Sequence, residues 1–176
     1  HPDNEYAKRV EHEFGKTEIW YVIDATDDAQ LVYGFKNKIS KEEFKKAIEE
    51  NTLLDVLNTV KVKKGDLFFI EAGTVHAIGK GVLIAEIQQN SNSTYRVYDY
   101  GRIGKDGKPR ELHIKKAVDV SVTEPPKYDI KPMGETVKAD GYDSTLLTKC
   151  DLFTVNHYDV NKKLTLETDE KSFNHI

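Results

Sequence analysis

A mainly β fold is predicted by three observations along the chain. Short runs of aromatic and β-branched residues recur, as in Ile19-Trp20-Tyr21-Val22-Ile23, and turn residues separate them. A strong helix-start signal stands at Ser40, which predicts a small helical insertion among strands. Beyond Pro125-Pro126 and Pro132-Met133-Gly134 two further strand-like stretches follow, which predicts an extended linker and then the start of a second β domain.

Taken in order, residues 3–13 are polar and helix-compatible. Gly15-Lys16-Thr17-Glu18 then leads into the strand at 19–23. Asp24 to Asp28 punctuates a hairpin, and Gln30 to Phe35 supplies an antiparallel partner. Ser40-Lys41-Glu42-Glu43 is a capping box, because the Ser40 hydroxyl accepts from the Glu43 backbone while the Glu43 carboxylate reaches back. Phe44, Ala47 and Ile48 form the apolar stripe of the helix it starts, and Asn51 ends that helix. Leu53 to Leu57 reads as a short helical turn, and Val60-Lys61-Val62 alternates as a strand.

The next strand, Leu67 to Ile70, runs into a turn at Gly73, where φ > 0 costs a glycine nothing, and His76 emerges beyond it from a stiff hairpin. On local grounds His76 is equally a metal ligand or an imidazole that caps a backbone group. Val82, Ile84, Glu86 and Gln88 share one face of a strand at 81–89, so a carboxylate points the same way as apolar neighbours. That face either lines an interior, which would make Glu86 a cleft carboxylate, or lies on the surface. Residues 90–93 join this strand to another at Tyr95 to Asp99. The loop at 101–110 lacks the Gly-Lys-Ser/Thr ending of a phosphate loop, and 110–120 resembles a short amphipathic helix. Two strand-like stretches between Leu146 and Leu166, turned at Asn161-Lys162-Lys163, have no partner strands of their own in what remains.

The 176 residues suffice for one domain with a sizeable core and part of another. A net charge of −4 with mixed signs offers no basic face for nucleic acid. No apolar run approaches the roughly 18 to 20 residues of a membrane helix, so no membrane partner is expected. A single cysteine, Cys150, and the lack of a signal peptide point to a soluble, cytoplasmic protein. The chain opens on His1-Pro2 without an initiator Met and is expected to be a fragment of a longer protein.

The stretch from Gly65 to His76 resembles the second motif of the cupin superfamily, with Glu71 where Pro is usual. Further words stand in family order around it: His1-Pro2-Asp3-Asn4-Glu5-Tyr6-Ala7, Gly15-Lys16-Thr17-Glu18-Ile19-Trp20-Tyr21, Gly73-Thr74-Val75-His76-Ala77, Glu86-Ile87-Gln88-Gln89-Asn90-Ser91, Tyr95-Arg96 and Tyr98-Asp99-Tyr100-Gly101-Arg102. Together they resemble the type I mannose-6-phosphate isomerase family, in its short bacterial form, over about the first 120 residues. That resemblance implies a cupin-type double-stranded β-helix, or jelly-roll barrel. It divides the chain into a metal-binding catalytic domain at 1–120, lacking its N-terminal part, a linker at 121–145, and the first strands of a truncated C-terminal β domain at 146–176.

It also implies a zinc cofactor held by His1, Glu18 and His76. The family's fourth ligand, a Gln two positions before the first His, falls before His1, so weak zinc binding and poor turnover are expected of this chain. Lys16, Glu86 and Arg96 correspond to active-site residues, and Asn92 stands where the family often has Asp. The implied reaction interconverts mannose 6-phosphate and fructose 6-phosphate through an enediol, with Glu86 or a zinc-activated water moving the proton and zinc as Lewis acid. A non-catalytic cupin module that binds a sugar phosphate is the alternative, and an iron dioxygenase is disfavoured by the Lys-Thr-Glu word. His12, His113, His157 and His175 lie outside the matched words and read as surface or capping residues. Trp20 and the tyrosines read as core and rim.

Overall fold

A computed structural model of the chain describes residues 1–100 and 102–176. Two units divide it, His1–Ile130 and Lys131–Ile176. In chain order the first contains α1 (Asn4–Val10), β1 (Glu18–Ala25), β2 (Gln30–Phe35), α2 (Lys41–Glu49), α3 (Leu53–Val56), β3 (Leu57–Lys61), β4 (Leu67–Ile70), β5 (His76–Ile78), β6 (Val82–Gln88) and α4 (Ile114–Val120). The second contains β7 (Thr136–Ala139), β8 (Tyr142–Lys149) and β9 (Thr154–Val160).

Two antiparallel sheets make the first unit, ordered β4-β1-β6 and β3-β2-β5. Their facing sides enclose Trp20, Val22, Phe68 and Ile70 from one sheet against Leu31, Tyr33 and Val62 from the other side. Burying each such side chain contributes about 1.5–3 kcal/mol. A second apolar layer covers the far side of β2, where Val32 and Phe35 pack on Phe44 of α2 and on Leu53 and Leu57. Strand β2 is thus covered on both faces, and Leu31 to Phe35 are buried without alternation. The Phe35 and Phe44 rings meet edge to face at 5.2 Å.

Helix α2 starts with the expected capping box: Ser40 Oγ accepts from the Glu43 backbone N–H at 3.0 Å, and Glu43 Oε2 accepts from the Ser40 N–H at 2.7 Å. Asn51, at φ 58°, turns the chain just beyond the end of that helix. Lys41, at its first position, reaches across to α4, where its ammonium donates to the carbonyls of Val118 (2.6 Å), Asp119 (3.2 Å) and Ser121. Carbonyls at a helix C-terminus lack intrahelical donors, and a lysine supplies both donors and the favoured charge.

Several expectations change. Gly73 does not close a hairpin, because β4 pairs with β1 while β5 pairs with β2, so the turn carries the chain from one sheet to the other. Gly73 takes φ 88°, and a β-carbon there would lie 2.6 Å from the Val120 carbonyl oxygen. Residues 95–99 are not a strand: the Arg96 N–H donates to His113 Nδ1 at 3.2 Å and its carbonyl accepts from the His113 N–H at 2.8 Å. Local loop bonds satisfy this backbone in place of a neighbouring strand. Gly101, within the last of the matched words, lies outside the described residues.

The stretch expected as a linker, 121–145, is divided between the units. Thr123 accepts from Ile39 N–H at 3.0 Å within the first, and β7 with the start of β8 belongs to the second. There β8 pairs with both β7 and β9, so these strands do find partners within the chain. The connection from β8 to β9 lies at 150–153, ahead of the Asn161 turn. Among the described residues no helix is long and apolar enough to cross a membrane.

Replacing Lys41 with Met leaves three carbonyls without their donor and should cost about 1.5–3 kcal/mol, the range for a hydrogen bond to a charged group. A urea unfolding series should show a lower midpoint at unchanged slope.

Candidate metal centre

Three separate elements converge on one point between the sheets. Glu18 opens β1 on the face that also carries Trp20 and Val22, and it is 1% exposed. His76 opens β5 directly opposite Tyr33 of β2, and cross-strand partners share a face, so its ring enters the same space from the other sheet. His1 precedes α1, and its carbonyl accepts from the Gly73 N–H at 2.7 Å, which draws the two histidines together. Their rings lie 4.8 Å apart.

Glu18 Oε1 is 3.2 Å from His76 Nε2, and its Oε2 is 3.7 Å from His1 Nε2. All three ligand atoms lie within 4.8 Å of one another. Each ring is oriented by its other nitrogen: His1 Nδ1 donates to the Ser93 carbonyl at 2.8 Å, and His76 Nδ1 to the Thr74 carbonyl at 2.7 Å. A carbonyl only accepts, so in the neutral rings both protons sit on Nδ1 and both Nε2 lone pairs face the carboxylate. Lone pairs aimed at one another in a buried space repel unless a cation stands among them. Glu18 Oε2 is also a buried oxygen without a hydrogen-bond partner, although the Lys16 ammonium is 3.1 Å away in poor angular geometry. Two imidazoles and a carboxylate with these orientations fit a divalent transition metal.

Burial pushes the Glu18 carboxyl up, but His76, when its ring also carries a proton on Nε2, and the Lys16 ammonium outweigh it and hold the group below the usual carboxylate range. Lys16, 11% exposed, bridges two carboxylates, with Glu86 Oε1 3.5 Å from its ammonium on the other side. Glu86 lies on β6 opposite Trp20 and shares its inward face. Its Oε2 accepts from the Trp20 indole N–H at 3.1 Å while its side chain remains 34% exposed, so it is a carboxylate at the mouth of the space. Arg96 stands apart. Its side chain meets Asp99 at 4.0 Å and the Glu111 carbonyl at 3.2 Å, and no ion pair joins it to Glu18 or Glu86 among the described residues.

Two participants escape a reading of the sequence. Trp20, read there as core, is core by burial yet also the donor that fixes Glu86 and an edge-on neighbour of His76 at 5.0 Å. Its place two residues after Glu18 on a strand was the available signal. Ser93 contributes a main-chain oxygen, for which side-chain identity offers no signal.

No family model matches the chain. It is 43% identical over 168 residues to mannose-6-phosphate isomerase ManA of Bacillus subtilis (strain 168), covering 95% of this chain and 52% of that protein. It is 40% identical over 170 residues to the mannose-6-phosphate isomerase of Streptococcus mutans serotype c, again covering 95% of this chain and 52% of that protein. The crystal structure of the mannose 6-phosphate isomerase from Bacillus subtilis superposes with a TM-score of 0.84 at 40% identity, covering 92% of this chain and 51% of that one. That match gives the fold as the cupin-type barrel expected from the sequence. The chain spans about half the length of the curated relatives it matches.

Replacing Glu18 with Gln should weaken cobalt(II) or zinc(II) binding by more than about 100-fold, beyond the 10–100-fold typical of outer-shell changes. Equilibrium dialysis checks the affinity, and circular dichroism checks that the fold is retained.

Proposed function

We propose that this chain, a homologue of mannose-6-phosphate isomerases along nearly its whole length and about half of theirs, carries the zinc centre and proton-transfer groups of such an isomerase. The reaction is interconversion of mannose 6-phosphate and fructose 6-phosphate in the cytoplasm. The observation that carries this reading is the continuous contact from His76 and His1 through Glu18 to Lys16 and on to Glu86 and Trp20.

His1, Glu18 and His76 would hold the zinc, which when bound supplies Lewis-acid polarisation of the oxygens on the two carbons that react. Glu86 takes the proton from C2 of the open-chain aldose as the C2 electron pair forms the double bond to C1 and the C1 carbonyl electrons move onto O1; the hydroxyl proton then passes from O2 to O1, and as C2=O forms Glu86 returns its proton to C1 to complete the ketose. Its Oε2 is occupied by the Trp20 N–H, which leaves Oε1 to face the substrate beside Lys16. The Lys16 ammonium supports the negative charge that develops on the enediolate oxygens. Arg96, with a planar guanidinium suited to phosphoryl oxygens and a position apart from the carboxylates, orients the phosphate. Retention of Lys16, Glu86 and a ligand set together favours an enzyme over a sugar-phosphate-binding module without catalysis.

Glu86→Gln should lower turnover by about 10²–10⁴-fold, the usual contribution of a general base, while zinc content is unchanged. A coupled assay of fructose 6-phosphate formation with metal analysis reads both. Turnover retained in the variant sinks Glu86 as the base.

A further inference from the structure

The two imidazoles of the site are oriented by different means. His76 Nδ1 donates to the carbonyl of Thr74, two residues away in its own turn, whereas His1 Nδ1 donates to the carbonyl of Ser93, 92 residues away along the chain. Ser93 lies in residues 89–96, a segment without helix or strand. Something must hold that carbonyl in place, and the hydrogen bonds converge on Ser91. Its hydroxyl, in a residue 6% exposed, donates to the Phe14 carbonyl at 2.8 Å and accepts from the Ser93 N–H at 3.2 Å. The Gln88 amide grips the Ser91 carbonyl at 3.1 Å. Ser93 adds its own hydroxyl bond to Glu13 Oε2 at 3.2 Å. Phe14 and Glu13 belong to the loop between α1, which follows His1, and β1, which begins with Glu18.

We propose that Ser91 is a positioning residue of the metal centre. Its hydroxyl pins the 89–96 segment to the loop before β1, so that the Ser93 carbonyl keeps His1 in the tautomer whose Nε2 lone pair faces Glu18. This rests on the metal reading above for its purpose, but the tautomer can be read without metal. A buried hydroxyl that both donates and accepts has no substitute in alanine, while threonine keeps both functions.

Long-range ¹⁵N NMR on the metal-free chain should show His1 in the Nδ1–H form in wild type and in Ser91→Thr, and a mixed or Nε2–H form in Ser91→Ala. His76 should keep its Nδ1–H form in all three, which separates this role from general loss of fold. Cobalt(II) competition with a chelator should then show Ser91→Ala weakened by about 10–100-fold, with an altered visible spectrum, and Ser91→Thr restored. An unchanged His1 tautomer and unchanged cobalt affinity in Ser91→Ala overturn the role of Ser91 while the metal reading stands. Absence of Glu18-dependent cobalt binding in wild type overturns the metal reading and, with it, the purpose assigned to Ser91.

Discussion

Everything near the mouth of the first unit answers to one cost, the burial of the Glu18 carboxylate. An ionised carboxylate removed from water is stable only with counter-charge and donors close at hand. Lys16 contributes charge from one side and His76 a ring nitrogen from another, yet one oxygen still lacks a hydrogen bond. A cation bound by Glu18 and both histidines would satisfy that oxygen.

The layers of the fold supply each partner from a different place. Strand β1 brings Glu18, β5 in the opposite sheet brings His76, and the residues ahead of α1 bring His1. No two of these three residues lie close in sequence, so they meet only when both sheets and the loop before β1 are assembled. Helices α2 and α4 act at a distance. Lys41 joins them, and the segment after α4 returns to Gly73, whose carbonyl accepts from the Val122 N–H at 2.8 Å.

Local chemistry made much of this legible in the sequence. The capping box at Ser40, the apolar stripe of α2 and the strands around Trp20 and Phe68 follow from short-range rules. Lys16, Glu18, His76 and Glu86 stood out through the words that contain them, and the structure sets these four side by side. What escaped was pairing. A glycine turn between two strands has the same local chemistry whether it closes a hairpin or crosses between sheets, since the partner is chosen by residues far away. The alternation at Tyr95 to Asp99 likewise suits a strand, but its backbone bonds to His113 and the Tyr95 hydroxyl reaches Glu11 at 2.6 Å. Glu86 was left between interior and surface because its depth is set by Trp20, on another strand.

Gly73 touches both histidines through the main chain alone: it precedes His76 by three residues, and its N–H holds the His1 carbonyl. The spacing of the two histidine backbones is therefore gauged by a main-chain hydrogen bond. Its weak point is a single hydrogen atom's worth of space, because a β-carbon at that position meets the Val120 carbonyl oxygen and would open the callipers themselves.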